Sequence, residues 1–208
     1  MPLVTGYSSL LASVQNYLAR SDIAGDVAGF VQAFESGFYR QPRNRGRWME
    51  RSFAEAITGG TIPVPADYLG LKVAYVNGAP SSRLERVALE QVLGRYPRGG
   101  WTGTPCWMAR DAEVFVFGPE PDAAYQVRGT YWAQPVLLRN APDDAAAHWL
   151  IVNAPDLVLF GSLLEAEPFL KNDNRTAVWE RKYAQALKDY RDGQWAEERS
   201  QHAQEVLA

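Results

Sequence analysis

Few side chains in this sequence have the type and spacing that catalysis or metal binding requires. The 208 residues include one cysteine, Cys106, and two histidines, His148 and His202. A Cys–His nucleophile would need Cys106 and His148 to meet in space, and residues 104–108 show no nucleophile-turn pattern. A lone cysteine is usually a small buried hydrophobe. Because Cys-x-x-Cys, His-x-x-x-His and His-Glu-x-x-His spacings are all missing, the sequence predicts neither a catalytic cysteine nor a zinc site.

Glycine pairs and carboxylate pairs are the other groups with a possible chemical use. The pairs 59–60 and 99–100 lack the Gly-Lys-Ser/Thr element of a phosphate loop, so both are predicted turns. Residues two apart on a helix point to different sides, and the sequence places no two acids opposite each other. We interpret these pairs as solvated charge: Glu165 with Glu167, Asp143 with Asp144, and Asp189 with Asp192. The sequence predicts no catalytic, cofactor-binding or metal-binding residues, and no cofactor.

Basic charge is concentrated in one stretch of the chain. Its five arginines are Arg40, Arg43, Arg45, Arg47 and Arg51. Tyr39 and Trp48 lie nearby in the sequence and could stack on nucleic-acid bases. The whole chain, however, has 21 basic and 24 acidic residues, a net charge of −3 that does not favour tight nucleic-acid binding. We therefore favour pairing of these arginines with acidic neighbours in an assembly, and DNA contact stays the alternative.

Composition favours a folded chain without a membrane segment. With 47% hydrophobic and 12% aromatic residues, the chain can bury a core, and disordered chains lack such apolar content. A single cysteine excludes an internal disulfide and fits the reducing cytosol. Residues 1–6 lack a basic secretory region, and the apolar run 157–164 is too short to cross a bilayer. We expect a soluble intracellular product.

The first forty residues predict two amphipathic helices. Apolar residues recur at three- and four-residue steps over 7–18 and again over 23–38. The second helix contains Gly25, Gly29 and Gly37. Because a glycine in a helix interior costs about 1 kcal/mol relative to alanine, we interpret these three as close-packing positions.

The middle of the chain predicts short strands, and helices return near residue 147. Strands are expected within 47–57, 71–76, 113–119 and 124–133, with a short helix over 87–96. Asn77-Gly78 is a strong hairpin signal, and Asp122-Ala123 favours a second hairpin between the last two strands. Helices are predicted over 156–169 and from 175 to about 190, followed by a polar tail from Gly193.

The predicted fold class is α+β, with terminal helices forming a helical bundle and a β-strand insertion domain in the middle. The predicted domains are residues 1–41 (first helices of the bundle), 42–140 (β-rich insertion), 141–192 (remaining helices) and 193–208 (extended tail). Seven tryptophans and ten tyrosines exceed the need of a small core, and these types are enriched at interface centres. We interpret Trp132, Trp149 and Trp179 as core residues, and a few other aromatics as interface residues.

Four segments, in chain order, resemble the phage adaptor proteins. Residues 5–23 resemble their opening helix, which ends with a leucine, an arginine and an acidic residue. Residues 62–69, Ile-Pro-Val-Pro-Ala-Asp-Tyr-Leu, are similar to a proline-then-aspartate step before an apolar strand. Residues 131–136 resemble a strand that ends in Tyr-Tyr-x-x-Pro, and residues 153–173 resemble the Pro-Asp-Leu-Tyr-Leu-Tyr-x-x-Leu-Leu-Glu-Ala stretch. Departures are Gly161-Ser162, in place of a bulkier or alanine-rich pair, and the composition after Gly193.

This resemblance implies a structural virion protein and not an enzyme. It implies a helical bundle with a β insertion that assembles with itself into a ring, commonly a dodecamer, beneath the portal at the head–tail junction. The implied partners are the portal protein, tail or nozzle proteins, and genomic DNA that passes through the channel without sequence-specific binding. Residues 193–208 are expected to order against the portal. The alternatives are another neck or tail-completion protein without portal contact, and a small hydrolase that uses acidic residues or Cys106.

Overall fold

A computed structural model describes residues 4–20, 22–78, 81–97, 100–141, 148–170 and 175–205, the side chains of 198–205 excepted. The chain is mixed α+β and forms two compact units. The helical unit comprises Met1–Trp48 and Val136–Ala208, and the strand unit comprises Met49–Pro135. The α-helices are α1 (Tyr7–Leu18), α2 (Val27–Arg40), α3 (Leu89–Arg95), α4 (Trp149–Asn153), α5 (Pro155–Leu170) and α6 (Thr176–Glu205).

Helix α5 is the centre of the helical unit. It contacts α1, α2, α4 and α6, and every residue from Leu157 to Leu163 is buried. A helix that is apolar all round must be covered on all sides, which explains why the longest apolar run of the sequence lies here. Helix α2 contributes a one-sided stripe that includes Val27, Val31, Phe34 and Phe38.

Helix α6 is longer than the sequence predicts. The sequence predicts that this helix ends near Tyr190 and that an extended segment begins at Gly193. Both predictions are wrong, because the helix continues to Glu205. One glycine costs a helix only about 1 kcal/mol. The residues that follow, Gln194 to Arg199, are mainly glutamine, alanine, glutamate and arginine, which are good helix formers.

The strand unit contains two four-stranded sheets and one two-stranded pair among the described residues. Its strands are β1 (Glu50–Ala56), β2 (Thr61–Pro63), β3 (Tyr68–Val76), β4 (Ser82–Arg83), β5 (Glu85–Arg86), β6 (Thr102–Gly103), β7 (Trp107–Asp111), β8 (Val114–Gly118), β9 (Glu120–Pro121) and β10 (Gln126–Ala133). The sheet orders are β1-β10-β3-β4, β2-β8-β7-β5 and β6-β9. The strand expected within 124–133 is observed as β10, and its alternate residues Val127, Gly129, Tyr131 and Ala133 are buried.

One predicted hairpin is confirmed and the other is wrong. Strands β3 and β4 pair antiparallel on either side of Asn77-Gly78, as the sequence predicts. Strand β8 pairs with β2 and β7, however, whereas β10 pairs with β1 and β3. The intervening β9 pairs with β6, so the chain between β8 and β10 crosses from one sheet to the other. Strand β7, which the sequence analysis did not predict, takes the hairpin position beside β8.

The three glycines of the second helix region are not close-packing positions within the chain. A methyl group added at Gly25, Gly29 or Gly37 would have no atom within 4 Å, so that interpretation is wrong. The close approaches lie elsewhere. At Gly161 an added Cβ would lie 2.2 Å from Cδ2 of Phe34, and at Gly129 it would lie 2.5 Å from the carbonyl oxygen of Val73.

Candidate assembly surfaces

The residues considered for chemistry have separate surroundings. Cys106 lies half-buried in the strand unit, where its Sγ is 3.5 Å from the Gly118 carbonyl oxygen and 3.8 Å from the Tyr96 hydroxyl. His148 is buried in the helical unit. Within the described ranges, no three His, Cys, Asp or Glu side chains are grouped closely enough to hold a metal ion.

The acidic pairs likewise show no shared site. Glu165 is exposed and Glu167 is half-buried, and Asp189 accepts a hydrogen bond from Gln185 at 2.7 Å on the same helix. The pair Asp143-Asp144 and the side chain of His202 lie outside the described residues.

The arginine cluster is divided between the two units. Arg40 donates to the Ser36 carbonyl within α2. Arg47 pairs with Glu197 at 3.3 Å in the helical unit, and Arg51 pairs with Asp67 at 3.0 Å in the strand unit. These two arginines therefore pair with acidic residues within the chain itself, and pairing across an assembly stays a prediction. Exposed pairs of this kind contribute at most about 1 kcal/mol each.

A buried polar chain joins α2 to the start of α4. Glu35 is 2% exposed and accepts a hydrogen bond from the Leu138 backbone N–H at 2.9 Å. The Tyr39 hydroxyl also bonds to Glu35 and lies 3.3 Å from Nε2 of His148. Nδ1 of His148 accepts from the Leu150 N–H at 3.2 Å and so caps α4. The sequence holds a signal for this feature, because Glu35 lies four residues after Val31 on the apolar stripe of α2.

Since Nδ1 of His148 accepts a backbone hydrogen bond, the proton of the neutral ring is on Nε2. Nε2 lies 3.3 Å from the Tyr39 oxygen. Burial lowers the pKa of His148, which a backbone hydrogen bond with Val136 partly opposes. Burial also raises the pKa of Glu35 to about 6, against the hydrogen bonds from Leu138 and Tyr39.

Replacement of Glu35 by glutamine should change how stability depends on pH. A carboxyl whose pKa rises from 4.5 to about 6 on folding stabilises the protein below pH 4.5, and that contribution is lost as the pH rises to 6. The free energy of unfolding of Glu35→Gln minus that of the wild type should therefore rise by about 2 kcal/mol between pH 4 and pH 7.5. Urea unfolding across this range measures the difference. Glu180→Gln, at an exposed position of α6, is the control, and a flat profile for Glu35→Gln would contradict the argument.

A second polar network holds the arginine-containing loop, residues 41–49 after α2, against α6. The buried Asn44 side chain donates to the Phe38 carbonyl at 2.9 Å and accepts from Arg191 at 2.8 Å. The backbone carbonyl oxygen of Asn44 accepts a hydrogen bond from the Tyr190 hydroxyl at 2.6 Å. That hydroxyl in turn accepts from the Trp48 indole N–H at 3.1 Å. Burial raises the pKa of Tyr190 to about 12. The loop after α2 is thus fixed by directed hydrogen bonds.

Asn44→Ala should lower the free energy of unfolding by about 2–3 kcal/mol. The substitution removes the hydrogen bonds that the Asn44 side chain makes to the Phe38 carbonyl and to the Arg191 guanidinium. Each buried group left unsatisfied costs about 1–3 kcal/mol. Gln41→Ala, which removes one exposed hydrogen bond to Arg191, is the control and should cost less than about 1 kcal/mol. Equal effects of the two substitutions in urea unfolding would refute a specific role for Asn44.

The tryptophans divide into core and surface residues. Trp179 is buried, as predicted. Trp149 is half-buried and stacks on Trp48 with ring centres 5.0 Å apart, and Trp132 is also half-buried. Trp101 in the strand unit is 69% exposed and Trp195 on α6 is 58% exposed. Exposed tryptophan is a residue type enriched at the energetic centres of protein interfaces.

Further large apolar side chains lie at the surface of both units. They are Val136, Val152, Phe169 and Val178 in the helical unit, and Leu93 in the strand unit. Single exposed apolar residues are common on monomers. Together with the two exposed tryptophans, they provide candidate contact points for partner proteins. Across the residues that the structure describes, each helix is too short or too polar to span a membrane.

Comparison with known proteins identifies the class of this α+β chain. The family model described as SU10 adaptor protein matches residues 5–205. The chain therefore belongs to the SU10 adaptor protein family, a family of structural head–tail adaptors of phages. Membership implies a virion location and association with portal and tail proteins. A search of curated proteins gives no match.

Proposed function

We propose that this protein assembles into a ring, a dodecamer, directly beneath the portal at the head–tail junction. The ring extends the channel through which genomic DNA passes without sequence-specific contacts, and its far side is the docking platform for tail components. The observation that carries this proposal is the family match over residues 5–205, nearly the whole chain. The protein acts by presenting surfaces to other chains and not by gathering reactive groups.

A ring imposes a requirement that the surface of this chain can meet. Each subunit of a cyclic ring uses two different surfaces, one for each neighbour. Exposed aromatic side chains occur on both units, Trp195 on the helical unit and Trp101 on the strand unit. Together with contacts to portal and tail proteins, an adaptor ring needs several such surfaces on one subunit.

We assign separate roles to the parts of the chain. Residues 1–41 and 141–192 are proposed to form the helical bundle of the adaptor, and residues 42–140 its β-rich insertion. Residues 193–208 are proposed to bind the portal. The exposure of Trp195 supports this assignment, as does the continuation of α6 to Glu205, which extends the helix beyond its last described contact with the arginine-containing loop at Glu197.

Truncation after Glu197 should weaken portal binding without unfolding the protein. The contacts of Tyr190, Arg191, Gln194 and Glu197 with the loop after α2 all remain. Thermal unfolding should therefore be unchanged, whereas the affinity for purified portal should fall at least about tenfold, the equivalent of about 1.4 kcal/mol. Co-sedimentation with portal rings measures the binding. Unchanged binding by the truncated chain would remove the assigned role of residues 198–208.

The position in the particle is tested by counting copies in purified virions. Quantitative peptide mass spectrometry should give a ratio of about one adaptor chain per portal subunit. Complete absence of the chain from mature virions would refute the proposed function. Presence in virions together with no binding to portal would instead favour a neck or tail-completion protein that lies further from the head.

A further inference from the structure

Strand β1 is an open edge of the larger antiparallel sheet. Among the described residues it pairs only with β10, in a register without interruption from Glu50 to Ala56. The Ile57 N–H continues this ladder by donating to the Tyr125 carbonyl at 2.9 Å. Because hydrogen-bonded pairs alternate in an antiparallel ladder, the backbone groups of Ser52, Ala54 and Ala56 point away from β10. The side chains of these three residues are exposed.

Strand β3 leaves a second open edge on the opposite side of the same sheet. Its partner β4 pairs only with Tyr75 and Val76, and the Leu84 N–H donates to the Ala74 carbonyl at 2.9 Å. After Leu84 the chain turns away, since β5 pairs with β7 in the other sheet. A groove of about 480 Å³ remains there, lined by residues 71–74 of β3 and by residues 83–86.

The β1 edge lacks most of the devices by which proteins protect exposed strands. Natural edge strands are commonly short, bulged, or interrupted by proline and lysine. Strand β1 carries charged side chains at Glu50, Arg51 and Glu55, but it contains neither proline nor lysine, and its register with β10 has no bulge. A regular seven-residue strand with outward-pointing backbone groups is a template for pairing with another chain.

Direction and charge both fit pairing between the two edges in different copies. Strands β1 and β3 are each antiparallel to β10 and so run in the same direction. Lys72 of the groove and Glu50 of β1 already pair with each other within one copy at 2.6 Å, and Arg51 pairs with Asp67 at 3.0 Å. This leaves Glu55 on β1, and Arg83 and Arg86 beside Glu85 in the groove. These remaining charges favour an acidic edge against a basic groove.

We propose that β1 of one copy adds to the open edge of β3 in the next copy, and that this pairing repeats around the ring. The inference rests on the proposed ring and names the contact that closes it. A small rotation between neighbouring copies leaves the strand direction nearly unchanged, so the new ladder is parallel. Because the two edges differ, the contact is head-to-tail, which is the kind that forms closed rings.

Cysteine cross-linking of the portal-bound ring tests this pairing. In a Cys106→Ser background, Lys72→Cys is combined in turn with Ser52→Cys, Ala54→Cys and Ala56→Cys, which sample three registers. These positions share one face of the sheet, since Lys72 bonds to Glu50 at 2.6 Å and even-numbered β1 residues alternate to that face. Within one copy, β10 separates the two strands by about 9.6 Å, beyond the Cα separation of about 7 Å that a disulfide spans. Any disulfide between them therefore joins two copies.

The expected result is a ladder of covalent oligomers on a non-reducing gel from at least one double variant, and none from any single variant. Ala54→Pro should abolish ring formation and leave the monomer folded, because the lost N–H points away from β10. Phe53→Pro, whose N–H faces β10, should unfold the sheet. Dimers from a single β1 variant would show β1–β1 pairing and overturn the proposal.

The remaining outcomes separate this pairing from the proposed function. Portal-bound rings that give no ladder in any register and still assemble with Ala54→Pro would overturn the strand pairing alone, and the edge would then belong to a tail protein or another partner. No association of the wild-type chain with portal would overturn the proposed function, and the pairing with it.

Discussion

Phe38→Ala should lower the free energy of unfolding of the helical unit by about 3–5 kcal/mol, the range found when a buried phenylalanine is truncated. Phe38 is 2% exposed, and its ring centre lies 5.6 Å from that of Phe34, 5.7 Å from that of Tyr39 and 5.4 Å from that of Tyr190. The ring therefore joins α2 to α6, and its loss leaves a cavity between them. Far-UV circular dichroism during urea unfolding measures the change.

The matched control for Phe38 is Phe169→Ala at the end of α5. Phe169 also makes a ring contact, with Phe30 at 5.7 Å, but its side chain is 55% exposed. Removing it creates no closed cavity, so the cost should be about 1 kcal/mol or less. Similar losses from the two substitutions would show that α2 and α6 do not depend on the aromatic cluster around Phe38.

Gly161→Ala should destabilise the protein by about 3 kcal/mol, although alanine is the better helix former. An added Cβ would lie 2.2 Å from Cδ2 of Phe34, and both positions are buried between α2 and α5. Overpacking of a rigid core costs about 1–3 kcal/mol, and occasionally more. This close approach accounts for the glycine at position 161.

The control for Gly161 is Gly37→Ala in α2, where an added methyl group has no atom within 4 Å. Only helix propensity changes there, so the variant should be more stable than the wild type by about 1 kcal/mol. Opposite signs for the two glycine substitutions would establish that packing, and not propensity, selects glycine at position 161. Stabilisation by both would contradict the packing at the α2–α5 contact.

Most of the helical elements could be predicted because they follow from local periodicity. The apolar stripes of α1 and α2 indicate helices that are buried on one face. The continuous apolar run of α5 indicates a helix that is buried on every face. The end of α6 could not be predicted from Gly193, since the glycine penalty is small beside the propensity of the residues that follow. The penalty for glycine describes one residue, whereas the length of a helix depends on the summed propensities of all its residues.

The pairing of strands and the buried polar groups were less accessible from the sequence. Asn77-Gly78 predicted a hairpin because the turn chemistry is local. Strands β8 and β10 are neighbours in sequence but belong to different sheets, and sheet membership depends on long-range contacts. Glu35 was missed because an acidic residue on an apolar stripe becomes interpretable only once its partners, the Leu138 N–H and Tyr39, are known.

The arginine cluster shows the same limit for the candidate site. The sequence favoured pairing with acidic neighbours in an assembly, whereas the structure pairs Arg47 with Glu197 and Arg51 with Asp67. Both partners belong to the same chain, so these two arginines stabilise the fold of the subunit. Distances of 150 and 16 positions along the sequence separate the partners, and no local pattern could have matched them.

The mass of the complex between this chain and purified portal tests the central claim most directly. Native mass spectrometry should show a discrete assembly whose added mass equals one copy of the chain for each portal subunit, as a closed ring requires. A chain that remains monomeric beside intact portal rings, at concentrations where both proteins are folded, would contradict the account.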